Sequence, residues 1–278
     1  MKKILNQVYD ELSHLFIDEN RKKIINNAHL LPSSTNTVYK LGKYVVRIPH
    51  KDLKIFFNRR AEISNIELIA TQTEMTMRPV HFNVETGLMV NRLTSPEIFY
   101  GNQYLKHDAI SEIVLLMNKL NTSGLHIKNT FDMNYALAYF DTFNFLNSKQ
   151  SSWMKSFYTN NFLSGDKLEI SHNDPDASNF TCTRQIIDFE FSGMSPRYSD
   201  ISNFYSMYFH NMEVEAAVRN IKISNDKLES LTIFWTLFWA MWRLSKPDEL
   251  VQEEEYKSIA SVKLKFGVEL LSDYMNKY

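Results

Sequence analysis

The chain changes character once, near residue 94, and that change constrains its fold more than any single motif does. Before it, strand-like and helix-like segments alternate. Apolar side chains at Ile4, Leu5, Val8, Leu12, Leu15 and Phe16 predict an amphipathic helix within residues 2–29. Leu31-Pro-Ser-Ser-Thr-Asn-Thr has the composition of a loop. Val38-Tyr-Lys-Leu and Tyr44-Val-Val-Arg-Ile flank Gly42-Lys43 as a hairpin, which Pro49 ends. Ile63, Ile66 and Ile69 predict a helix over 56–72, and a second extended pair, 78–84 and 88–93, surrounds Glu85-Thr-Gly87. Beyond Thr94-Ser-Pro-Glu the pattern is helical, at about 108–122, 133–147, 151–163, 198–221, 226–244 and 248–276. Two short extended runs, 168–171 and 185–189, interrupt it. The expected organisation is α+β: a small N-terminal sheet lobe over 1–94 and a larger, mainly helical lobe over 95–278.

Composition removes several classes of function. With 31 basic and 32 acidic residues the net charge is −1, so no basic field exists to coat nucleic acid. The single Cys182 excludes an intrachain disulfide and a cysteine zinc site, and suits a reducing, cytoplasmic compartment. The most apolar run, Leu231 to Trp242, falls short of the roughly 20 residues a spanning helix needs, so no membrane insertion is expected. Only 7 glycines occur in 278 residues, which leaves little room for a glycine-rich phosphate loop.

The densest chemistry lies in Ile170-Ser-His-Asn-Asp-Pro-Asp-Ala-Ser-Asn-Phe180, followed by Ile186-Ile-Asp-Phe-Glu-Phe191. Asp174 and Asn179 are separated by four residues, and Asp188 follows nine positions after Asn179. Phosphoryl transfer requires such a set: one carboxylate to orient the attacking hydroxyl, and an amide oxygen with a second carboxylate to hold Mg²⁺ against the nucleotide phosphates. The order His-x-Asp, four residues, Asn, then Asp is that of kinase catalytic loops. The plain alternative is a polar turn whose Asp and Asn side chains bond their own backbone.

With those residues in place, the chain resembles the choline/ethanolamine kinase branch of the aminoglycoside phosphotransferase-like family, and bacterial choline kinases most of all. His172-Asn-Asp-Pro and Ser178-Asn-Phe resemble the family's catalytic loop, Ile187-Asp-Phe-Glu-Phe-Ser-Gly-Met194 its metal-binding segment, and Asp200-Ile201 its helix anchor. The likeness reaches the first lobe through Thr35-Asn36, Tyr39, Val45-Val-Arg-Ile-Pro49, Asn58-Arg59 and Glu62, and covers roughly residues 30–260.

The resemblance implies a two-lobed protein-kinase-like fold and transfer of the γ-phosphate of ATP, with Mg²⁺, to the hydroxyl of choline or ethanolamine. Asp174 becomes the catalytic carboxylate and Asn179 and Asp188 the metal ligands. Arg47 contacts nucleotide phosphate, steadied by Glu62, with Ser34 and Asn36 in the nucleotide loop. His172, Glu190 and Asp200 support the site. Trp239 and Trp242, three apart on a late helix, receive the ammonium group with Tyr256 as a further wall, because aromatic faces attract a cation that cannot hydrogen-bond. Packing in a helix core is the other reading of that aromatic stripe. Two departures stand out: the loop Ser33-Ser-Thr-Asn-Thr has no glycine, and Met207 occupies a place where choline kinases often carry an acidic residue. A kinase acting on thiamine, an aminoglycoside or a sugar, and a kinase-like binding protein without catalysis, are the alternatives.

Overall fold

The computed structural model describes residues 2–16, 20–31, 33, 36–93, 107–164, 167–209, 211–246 and 254–277. The chain divides into two compact units, Met1–Ile55 with Met77–Pro96, and Phe56–Thr76 with Glu97–Tyr278.

In the first unit, α1 (Lys2–Glu11) and α2 (Arg21–Asn26) replace the single helix expected over 2–29. Asn20 explains the restart, since its side chain accepts from the Lys23 N–H and caps α2. Strands β1 (His29–Leu31), β2 (Asn36–Leu41), β3 (Tyr44–Pro49), β4 (His81–Phe82) and β5 (Met89–Arg92) form one antiparallel sheet in the order β1-β2-β3-β5-β4. The β2–β3 hairpin turns at Gly42, whose φ of 57° suits glycine. Leu5, Val8, Leu12 and Phe16 of the N-terminal segment are buried with Tyr39, Leu41, Tyr44, Val46 and Val90 of the sheet. The apolar stripe read from the sequence is therefore the face that covers the sheet.

The second unit begins at α3 (Arg59–Gln72), capped by the Asn58 side chain on the Ala61 N–H. A cut at residue 94 groups segment 56–76 with the sheet. Its contacts instead lie in the larger unit: the Asn58 N–H donates to Thr130 O at 2.6 Å and Asn65 Nδ2 donates to Lys128 O at 2.7 Å. Helices α4 (His107–Asn121), α5 (Met133–Asp141) and α6 (Ser148–Tyr158) follow, then β6 (Leu168–Ser171), which pairs antiparallel with β7 (Gly193–Pro196). The run 185–189 is not the regular strand expected. Only an isolated bridge, Phe180 to Ile186, forms, and residues 189–191 coil into a 3₁₀ turn. The single helix expected over 198–221 is two, α7 (Ser199–Met207) and α8 (Met212–Arg219), because Asn211 caps α8 by accepting from the Glu213 and Val214 N–H groups. The chain closes with α9 (Asn225–Leu244) and α10 (Glu254–Lys277). Every residue of α9 from Ser230 to Trp242 is buried, so it is a core helix. No helix among the described residues is long and apolar enough to cross a membrane.

Candidate active site

Strand β6 delivers its backbone into His172-Asn173-Asp174, and one carboxylate holds that turn. Asp200, fully buried in the first turn of α7, accepts from the His172 N–H at 2.9 Å through Oδ2 and from the Asn173 N–H at 2.8 Å through Oδ1. Asn121 Nδ2 also donates to Asp200 Oδ2 at 2.9 Å, and to Ile170 O at 2.6 Å. Asn173 has a φ of 63°, a left-handed conformation that Asn tolerates. Its side chain bonds Phe191 O and the Ser195 hydroxyl, and its carbonyl accepts from Asn203 Nδ2 at 2.8 Å. The residue before Asp174 is thus fixed on every side, which orients the carboxylate that follows.

Asn179 is locked to Asp174. Its amide nitrogen donates to Asp174 O at 2.9 Å and to Asp174 Oδ2 at 3.2 Å, leaving the amide oxygen as the remaining donor atom for a ligand. Burial raises the Asp174 carboxyl well above its ordinary value, Asp176, Asp188 and Glu190 push it further, and Arg243 opposes them. Asp176 caps the short turn that carries Asn179 by accepting from the Ser178 N–H and hydroxyl, while the Ala177 N–H donates to the Tyr208 phenol oxygen at 3.1 Å. Burial also depresses His172, against an opposing pull from Asp200. His172 Nε2 lies 2.8 Å from Ile187 O, and a carbonyl only accepts, so this nitrogen carries the proton. His172 supports the loop rather than titrating in it.

Asp188 sits in left-handed backbone, φ 62° and ψ 61°, which turns the chain sharply after Ile187. The Ile187 N–H donates to Asn179 O at 2.9 Å, tying the two expected metal ligands to one patch. Asn179 and Asp188 both offer oxygen, the donor type hard divalent cations select. No cluster of three or more His, Cys, Asp or Glu poised for a metal exists among the described residues. Two protein oxygens suffice for Mg²⁺, which keeps waters and takes substrate phosphates as its other ligands. The residues present fit that ion. Glu190 and Glu62 are joined by one cation: Arg59 Nη1 lies 2.7 Å from Glu62 Oε2 and 3.1 Å from Glu190 Oε2, all three being buried. Sequence reasoning paired Glu62 with Arg47 and gave no role to Arg59, whose three-residue spacing from Glu62 on one helix face was the available signal for this contact.

Of the nucleotide-binding residues, Arg47 lies buried on β3 opposite Val38 and Met89, and Asn36 is buried at the start of β2 opposite Pro49. Both belong to the first unit, and Glu62 to the second. Ser34 and Thr35 lie outside the described residues.

Trp239 and Trp242 are placed in the core, and Tyr256 is half-buried. Trp242 is 1% exposed and meets Phe56, Phe131 and Phe191 nearly at right angles, with centroids 5.2–5.7 Å away. Trp239 Nε1 donates to Asn203 Oδ1 at 2.8 Å, so it reaches the catalytic loop through Asn203 and Asn173. The faces of Trp242 and Tyr256 meet cations of the chain itself. Lys246 Nζ lies 5.2 Å from the Trp242 ring centroid, and the Arg243 guanidinium carbon 4.9 Å from that of Tyr256. Lys246, Arg243, Asn121 and Asn203 were not singled out in the sequence. Only the Trp242 to Lys246 spacing of four residues hinted at one of these contacts.

No protein-family model and no curated protein matches the chain. Among solved structures it is similar to choline kinase LicA from Streptococcus pneumoniae, with a TM-score of 0.72 at 18% identity, over 91% of this chain and 98% of that one. A choline/ethanolamine kinase family protein from Mesorhizobium loti matches at 0.64 and 18%, over 94% of each chain. The amicoumacin kinase hAmiN, in complex with AMP-PNP, Ca²⁺ and Ami, matches at 0.62 and 14%, over 96% of each. The chain has the kinase-like α+β fold of these proteins.

Proposed function

We infer that the protein is an ATP-dependent phosphotransferase acting on the hydroxyl of a small molecule. The observation that carries this reading is the loop itself: Asp174 locked to Asn179 on a backbone hung from the buried Asp200, with Ile187, the residue before Asp188, bonded back to Asn179. In the transfer, Asp174 orients the acceptor hydroxyl and takes its proton as the oxygen bonds to the γ-phosphorus and the bond to ADP breaks. Its raised carboxyl brings the base closer to working pH. Asn179 and Asp188 would hold Mg²⁺, which supplies charge neutralisation for the phosphates. Arg47, Asn36 and Ser34 are assigned to the nucleotide, with Arg47 suited by its permanent charge and planar fork. His172, Glu190 and Asp200 keep the loop in place.

Within that class, the fold shared with choline and ethanolamine kinases supports an amino alcohol acceptor. The cations over Trp242 and Tyr256 weigh against a quaternary ammonium. The kinase reading is tested by steady-state ADP release with Mg-ATP, offering choline, ethanolamine, thiamine, an aminoglycoside and a sugar in turn. Acceptor-dependent release should fall at least 100-fold in Asp174→Asn, the scale of a lost general base, with an unchanged melting temperature. Near-normal turnover in that variant would remove Asp174 from its role. Release that no acceptor stimulates, with acceptor binding retained, would favour the binding-protein alternative.

A further inference from the structure

A cavity of about 330 Å³ opens in the second unit beside α4, β6 and the start of α7, and none of Asp174, Asn179 or Asp188 lines it. Sites for small molecules span about 300–1,000 Å³. Val114 and Leu115 of α4, Ile201 of α7 and Ile221 give the cavity apolar walls, and the exposed Leu115 leaves it open to solvent. Tyr198 forms a further wall in left-handed backbone, φ 73°, which bulky residues rarely adopt, with its phenol donating to Lys222 O at 3.0 Å.

The polar groups of the cavity are few, and two of them have unused capacity. Asn121 lines it and is 8% exposed. The Asn121 amide nitrogen donates to Ile170 O and to Asp200 Oδ2, which fixes the amide orientation, since an oxygen there would face a carbonyl and a carboxylate. Its own oxygen accepts no hydrogen bond among the described residues. Arg197 lays its guanidinium over the Tyr198 ring, 4.7 Å from the centroid, and its Nε lies 3.5 Å from Glu169 Oε1. That contact is too long for a hydrogen bond, so the fork can still grip a carboxylate at two points. Burial raises the Glu169 carboxyl, and Arg197, Lys227 and Lys167 oppose it. Three cations therefore act on one carboxylate here, and the local charge favours an added anion.

We propose that this cavity is a second small-molecule site, for an amphipathic carboxylate with one hydrogen-bond donor, of the kind an apolar amino acid presents. The carboxylate meets Arg197, the donor meets Asn121 Oδ1, and the apolar body lies against Val114, Leu115, Ile201 and Ile221. Occupancy is felt at the catalytic loop, because Asn121 bonds directly to the Asp200 carboxylate that holds the His172 and Asn173 N–H groups. The site itself is independent of phosphoryl transfer at Asp174, so its binding survives in Asp174→Asn even where the kinase reading fails.

L-Phenylalanine, 3-phenylpropanoate and 2-phenylethylamine are titrated into the full chain and followed by calorimetry, with thermal melts as the control for folding. The first probe carries all three features, the second lacks the donor and the third lacks the carboxylate. L-Phenylalanine should bind with a Kd of about 1 mM or tighter, and each of the other two about tenfold or more weaker. Arg197→Gln should weaken L-phenylalanine to the level of 2-phenylethylamine, and Val114→Trp, which fills the cavity, should abolish binding. Hydrogen exchange then reads the link to the loop. At about ten times its Kd, L-phenylalanine should slow exchange of the His172 and Asn173 amides by up to about tenfold. No binding of L-phenylalanine to wild type up to about 20 mM overturns the proposal, and this arm decides even where a variant fails to fold. Equal binding of all three probes, or binding unchanged in folded Arg197→Gln, overturns it too. Binding that leaves both amides unprotected overturns the link to Asp200. Dimerisation that Leu115→Asp abolishes, with no probe bound, gives the face to a second copy of the chain and overturns the site.

Discussion

At the scale of single residues the site depends on polar groups that bond to one another across long stretches of sequence. Asp200 satisfies two buried backbone N–H groups and one side-chain amide. Hydrogen bonds to a charged acceptor contribute roughly 1.5–3 kcal/mol each, and a buried donor left without a partner costs about 1–3 kcal/mol. Asp200→Ala should therefore lose about 3–5 kcal/mol of stability and cut turnover in the surviving folded fraction. Urea unfolding with parallel ADP-release assays checks both, and a wild-type unfolding midpoint would remove Asp200 as the anchor of the loop. Asp174, Asn179 and Asp188 stand out in the sequence because their spacing is local, whereas Asp200 entered through the resemblance alone. Asn121, Asn173 and Asn203 do not stand out, since Asn121 and Asp200 meet across 79 positions and no periodicity reports such a pair. The tryptophans show the limit from the other side. Their helical spacing was correct, yet spacing alone does not say whether a ring faces a ligand, Asn203 or Lys246.

At the scale of elements, apolar periodicity located the helices but not their ends. It merged α7 with α8 and α1 with α2, where Asn211 and Asn20 begin a new helix by capping backbone N–H groups. It also missed β7, Gly193 to Pro196, because Gly and Pro are poor strand formers and only the partner β6 holds that segment extended. Close packing of α10 on α9 was equally invisible. A Cβ built at Gly267 would sit 2.8 Å from Leu237 Cδ2 and 3.2 Å from Thr236 Cγ2, so glycine here permits the approach of the two helices. Gly267→Val should then cost about 1–3 kcal/mol by overpacking. Gly267→Ala is the comparator, where the strain of one methyl is set against roughly 0.5–1 kcal/mol of recovered helix propensity. Denaturant unfolding of the pair measures the difference. A valine variant as stable as wild type would mean that α9 and α10 do not meet at this point.

At the scale of the whole molecule, a net charge of −1 and a pI near 6.7 suggest a stability maximum close to neutrality, but the buried bases argue otherwise. Burial pushes Lys246 down from 10.5 to about 7, with Arg243 adding to that and Glu190 and Asp174 opposing it. Lys263, whose Nζ donates to Met207 O at 3.1 Å, is lowered to about 8 for the same main reason. Between those values and 10.5 the unfolded chain binds more protons than the folded one, so stability rises with pH across that window. Tyrosines set the upper limit. Burial raises Tyr158 from 10.0 to about 12 and raises Tyr208 as well, so above pH 10 the folded chain holds more protons and stability falls. These four groups together favour the window between about pH 9 and 10, above the usual range of about 5 to 8, while the raised Asp174 carboxyl opposes the rise at lower pH. Lys246 accounts for about 2 kcal/mol of the rise from pH 7 to pH 9, at 1.36 kcal/mol per unit while it is the folded state that has lost the proton. Lys246→Met removes the titrating group, so its unfolding free energy should be flatter than wild type by that amount over the same interval. Urea unfolding of both proteins from pH 6 to pH 11 decides it. Parallel curves would mean that Lys246 keeps an ordinary lysine pKa, and with it an ammonium in water instead of one enclosed against Trp242.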